Sequence, residues 1–122
     1  MKKPPFYKSL SAAFKGLFWM LKNERNFQLE IFAFLINVIL IFWMKLNQLD
    51  SIIILFICGF VLVAEILNTG VEKICDFVEP NFHSKIGIIK DIAAGSVLLA
   101  TLFAILIGGI IYWPYLENML SS

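Results

Sequence analysis

The sequence predicts an all-α integral membrane protein, with three transmembrane helices preceded by an N-terminal amphipathic interfacial helix. Two observations carry that prediction. Of 122 residues, 60% are hydrophobic and 16% charged, against about 45–50% and about 25% in soluble domains. A chain short enough for one domain cannot enclose so much apolar surface in water. The ten basic residues are also clustered: nine lie in the first 25 residues or between Lys73 and Lys90, and only Lys45 lies elsewhere. Three apolar stretches fall between and after these clusters. A formal net charge of +1 gives no argument for nucleic acid as a partner.

The elements follow in chain order within one domain, 1–122. Over 5–25, Phe6, Leu10, Phe14, Leu17 and Leu21 recur at steps of three and four, while Lys8, Lys15 and Lys22 recur every seven residues on another face. That pattern is an amphipathic helix lying in the membrane interface, and Pro4 and Pro5 suit its start. Transmembrane helices are expected over 28–46, over 50–78 with a cytoplasmic extension, and over 86–115. The charge-free run from Ile92 to Trp113 alone has the roughly 20 residues that cross a bilayer. The first two spans reach that length only with polar flanks such as Gln28, Glu30, Glu65 and Asn68, and polar residues within a span are candidates for function. By the positive-inside rule the N-terminus and the Lys73–Lys90 region face the cytoplasm, with the Lys45–Asp50 turn and the C-terminus outside. No cleaved signal peptide is expected.

Cys58 and Cys75 fall at opposite ends of one helical segment, so no disulfide is expected. With His83 as the lone histidine and no CxxC, neither is a zinc site. Ser96, Ala100, Ala104 and Gly108 stand four residues apart in the third span, a stripe read as a helix–helix seam. Three thin helices bury few polar groups alone, which points to an oligomer.

The chemistry concentrates in the run Ala64-Glu65-Ile66-Leu67-Asn68-Thr69-Gly70-Val71-Glu72-Lys73-Ile74-Cys75-Asp76. At about 100° per residue, Glu65, Asn68, Glu72 and Asp76 share an arc of roughly 80°. Glu65 follows thirteen uncharged residues, Ile52 to Ala64, so it is expected near the headgroup level, where a carboxylate partly withdrawn from water suits general-base work. Converging carboxylates suit hard cations, since magnesium takes one or two of them together with substrate phosphates. Glu24 and Glu30 flank the entry to the first span, and Lys90-Asp91 opens the third with a cation suited to phosphate. Acid, metal and lysine together point to phosphoryl transfer at a membrane surface, without a Walker motif or a kinase Gly-rich loop.

The order Asn23-Glu24, Glu65-Ile66-Leu67-Asn68-Thr69, Glu72, Asp76, Phe82-His83 and Lys90-Asp91 resembles the small bacterial membrane diacylglycerol kinase family, which includes the undecaprenol kinases, from about Phe6 to about Leu106. The resemblance implies a homotrimeric bundle, multi-pass in the bacterial cytoplasmic membrane, with N-terminus and active site cytoplasmic and with sites shared between subunits. It implies transfer of the γ-phosphate of MgATP to the primary hydroxyl of diacylglycerol or undecaprenol. By the same resemblance Glu65 is the general base with Asn68 beside it. Glu24 and Glu72 hold Mg2+ on the nucleotide, and Glu24, Glu72, His83, Lys90 and Asp91 contact ATP, with Lys90 at the γ-phosphate. Asn26, Phe27, Glu30 and Glu65 meet the lipid. Ala12-Ala13, Pro5, Ala94 and Phe82 stand where the best-known members carry Tyr-Ser, arginine, serine and tyrosine, departures that bear on the lipid rather than on phosphoryl transfer. Glu24-Arg25-Asn26-Phe27 is similar to the undecaprenol kinase branch, and Glu30 with Glu65-Ile66-Leu67-Asn68 to the diacylglycerol branch.

Two rival readings have different requirements. A small proton- or cation-coupled transporter would use Glu65 as its carrier near the midplane, with no need of Glu24 or Lys90-Asp91. A structural membrane subunit would not require so many acids on one helix face.

Overall fold

The computed structural model describes residues 2–121. Among them it contains four helices and no strand: α1 (Phe6–Asn23), α2 (Arg25–Trp43), α3 (Gln48–Val78) and α4 (Ser84–Ser121). α1 starts behind Pro5, whose φ of −56° is set by its ring and whose carbonyl accepts from the amides of Lys8 and Ser9 at 3.0 and 3.1 Å. A single extended residue, Glu24 (φ −109°, ψ 111°), ends α1 and caps α2. The bend keeps its hydrogen bonds, because the Glu24 amide donates to the Met20 carbonyl at 2.9 Å and the Gln28 amide to the Glu24 carbonyl at 3.1 Å. Gln28 also reaches back across it, its Nε2 donating to the Leu21 carbonyl at 2.9 Å.

α2 stops at Trp43, short of the expected 46. Lys45 takes φ 56°, and the Leu46 amide closes back on the Ile41 carbonyl at 3.1 Å, a helix ending usually given to glycine. Asn47 then caps α3, its side chain accepting from the Asp50 amide at 2.8 Å, and Asp50 in the first turn complements the helix dipole. α4 starts behind His83, whose Nδ1 accepts from the Lys85 amide at 3.2 Å. It runs past Pro114 to Ser121, so its 38 residues extend about 57 Å and exceed the roughly 30 Å hydrocarbon core.

α3 is the centre of the bundle. It packs most extensively with α4 and next with α2, while α1 rests mainly on α2. Six of the nine buried residues among those described, Ile54, Val61, Glu65, Asn68, Thr69 and Cys75, belong to it. Only Ile54 has a fully buried large side chain, whereas Phe32, Phe42, Phe56 and Ile105 lie outside. An exterior of this kind, on three helices long and apolar enough to cross a membrane, belongs to a membrane protein, whose backbone hydrogen bonds are satisfied within each helix.

Within this chain the small-residue stripe of α4 meets α3 in its middle. Ala100 is buried, and Ala100 and Ala104 line a cleft with Phe56, Ile57 and Phe60 of α3. Ser96 is exposed, and a Cβ placed on Gly108 would meet nothing within 4 Å. Cys58 and Cys75 are free.

Candidate active site

The helical repeat of α3 sets Glu65, Asn68, Glu72 and Asp76 in a row, about 16 Å from first to last. Glu65 and Asn68 are 3% and 7% exposed, an unusual degree of burial for such groups in so thin a protein. The row is met from α2, where the Glu30 carboxyl faces that of Glu65. Glu24, at the α1–α2 bend, and Glu72 both lie within electrostatic range of Glu65. Four acids from two chain regions therefore converge where sequence spacing aligned only those of α3.

Asn68 links the row: its Nδ2 donates to Glu72 Oε1 at 3.3 Å. Glu30 Oε2, Asn68 Oδ1 and Thr69 Oγ1 are buried without a hydrogen-bond partner. Buried polar atoms are nearly always paired, so three unpaired atoms close together set this region apart from the rest of the bundle. Thr69, 3% exposed, was not assigned a role from sequence. Its position one residue past Asn68 and four past Glu65 was the available signal.

α4 meets the other end of the row. Lys90 forms an ion pair with Asp76 and lies within electrostatic range of Glu72. His83 is exposed and caps α4. Asp91 and Asn26 are exposed and are not drawn into the acid cluster. Phe27 is 5% exposed and packs inside the chain, beneath the bend that carries Glu24.

Among the described residues, no three His, Cys, Asp or Glu side chains are set to hold a metal by themselves. Glu24 and Glu72 do supply two hard oxygen donors within electrostatic range of Glu65. One or two carboxylates completed by phosphates form a usual donor set for magnesium, so the residues present fit an ion carried in with a nucleotide.

A family model described as prokaryotic diacylglycerol kinase matches residues 11–112. The undecaprenol kinase of Bacillus subtilis (strain 168) is 32% identical over 111 residues, 91% of this chain and 90% of that protein. The diacylglycerol kinase of Escherichia coli (strain K12) is 27% identical over 108 residues, 88% of each. That of Synechocystis sp. is 28% identical over 118 residues, 96% of this chain and 67% of that protein. A carrier role for Glu65 finds no support in these matches, which are named as kinases.

Proposed function

The chain belongs to the prokaryotic diacylglycerol kinase family, and on that premise we propose that it transfers the γ-phosphate of MgATP to the primary hydroxyl of a membrane lipid, diacylglycerol or undecaprenol. It is a lipid kinase, performing ATP-dependent phosphoryl transfer. The observation that supports the site assignment is the buried Glu65, faced by Glu30, at one end of a row whose other end carries Lys90.

Glu65 takes the hydroxyl proton as the lipid oxygen attacks the γ-phosphorus. Glu30 shapes the lipid side of that base, and Asn68 Oδ1, free of any partner, offers the hydroxyl an acceptor before transfer. Asn68 also holds Glu72 in line through its Nδ2. Glu24 and Glu72 hold Mg2+, which when bound neutralises phosphate charge. Lys90 turns from Asp76 to the γ-phosphate, with His83 and Asp91 contacting the nucleotide. Preorganised charge of this kind is the main contribution a protein makes to phosphoryl transfer.

On the lipid side, a cleft of ≈ 380 Å³ between α2, α3 and α4 runs from Glu30 past Val61 to Asn37 and Gly108. An acyl or prenyl chain lying in it has its hydroxyl end at Glu30. α1 leaves Phe6, Leu10 and Phe14 exposed, as an interfacial helix requires. The assembly is a homotrimer in the bacterial inner membrane, with N-terminus and active site cytoplasmic. The test is transfer of radiolabelled γ-phosphate in mixed micelles, with diacylglycerol and undecaprenol offered separately. Label entering one lipid in preference to the other identifies the substrate, and label entering neither overturns the reading.

A further inference from the structure

Glu24 is the only residue of the acid cluster that does not sit within a helix, so its position depends on how the helices on either side of it are docked. α1 is weakly anchored, with Met20 the only buried residue among its 18. The bend is stiff in itself, because Asn23 Nδ2 donates to the Trp19 carbonyl at 2.9 Å and Gln28 Nε2 to that of Leu21 at 2.9 Å. Those bonds fix the angle of the bend and leave its placement against α3 to tertiary contacts.

One such contact joins the two segments that carry the acids. The Lys73 ammonium lies 5.1 Å from the centre of the Trp19 ring. Trp19 precedes buried Met20 and lies five residues before Glu24, while Lys73 directly follows Glu72. Lys73 forms no salt bridge among the described residues, so the ring is the partner the structure gives its charge.

We propose that Trp19 and Lys73 are a positioning pair for phosphoryl transfer: their cation–π contact docks α1 on α3 and sets the separation of Glu24 and Glu72 across which the metal–nucleotide complex is held. The proposal deepens the lipid-kinase reading and rests on it. Neither residue touches substrate. Their effect falls on nucleotide binding because the two acids they register belong to different helices.

The full chain in mixed micelles tests this, with KM for MgATP and kcat measured at saturating lipid. The unaltered chain is assayed first, and absence of transfer defeats the lipid-kinase reading and the proposal with it. With transfer present, Lys73→Gln and Trp19→Leu are each expected to raise KM for MgATP about 2- to 5-fold, the size of an exposed cation–π contact, with kcat nearly unchanged. Lys73→Arg keeps the cation and is expected to restore the unaltered KM. The double variant is expected to be no worse than either single one, as for two partners of one contact. A variant that merely folds less well lowers kcat and leaves KM where it was. An unchanged KM in both single variants, independent multiplication of their effects, or failure of arginine to rescue overturns the positioning pair and leaves the lipid-kinase reading standing.

Discussion

The two polar ends of the bundle are built in opposite ways. Around the α2–α3 turn, Tyr115 Oη donates to Asp50 Oδ2 at 2.7 Å and accepts from the Asn47 amide at 3.0 Å. Tyr112 Oη donates to Asn37 Oδ1 at 2.7 Å, and Ser51 Oγ donates to the Asn47 carbonyl at 2.8 Å. These polar groups close on one another, and the two tyrosines fasten α4 to the α2–α3 hairpin. At the acid end like charges converge, and the three buried side-chain atoms without a partner among the described residues, on Glu30, Asn68 and Thr69, all occur there. A satisfied polar network in a low-dielectric setting stabilises one arrangement, whereas an unsatisfied one is costly unless something else completes it. On the proposed reading, the tyrosine end serves stability and the acid end serves chemistry.

The largest expected effect tests that division directly. Glu65→Gln preserves side-chain volume and removes the base, so transfer is expected to fall about 10²- to 10⁴-fold with MgATP affinity little changed. Near-normal transfer, or loss of nucleotide binding as complete as in the metal-ligand variants, moves the role to a neighbour such as Asp91. Next come Glu24→Gln and Glu72→Gln, each removing an ionic interaction worth about 1.5–3 kcal/mol. Weaker apparent affinity for both Mg2+ and ATP and roughly 10- to 100-fold slower turnover at fixed nucleotide are expected. Unchanged affinities in both variants rule out this pair as metal ligands.

Tyr115→Phe probes the other end. It deletes the bonds to Asp50 and Asn47, and unfolding in detergent is expected to become easier, with kinetic constants of the folded fraction unaltered. A variant of undiminished stability but impaired kinetics would merge the two ends into one functional unit. The smallest effect is expected for Thr69→Val, which replaces a buried hydroxyl lacking a partner by a methyl group of the same shape. Removing such a group is close to neutral or stabilising by less than about 1 kcal/mol. If the hydroxyl meets the lipid, KM for lipid rises while stability holds. A marked loss of stability would show that the hydroxyl already has a partner in the folded enzyme.

Hydropathy and helical period are local properties of a chain, and they determined the all-helical membrane character of this protein and the alignment of Glu65, Asn68, Glu72 and Asp76 on one face. The order of acids, amide and lysine along the chain was likewise enough to indicate the family. Only tertiary structure decided that Glu30 faces Glu65 from 35 residues away, that Lys90 pairs with Asp76, and that Phe27 and Thr69 turn inward. The one-residue bend at Glu24, the Trp19–Lys73 contact and the Tyr112–Asn37 bond were equally hidden. The rotational phase and height of one helix against another come from the summed packing of many side chains from distant segments, a sum that no local window of the sequence contains.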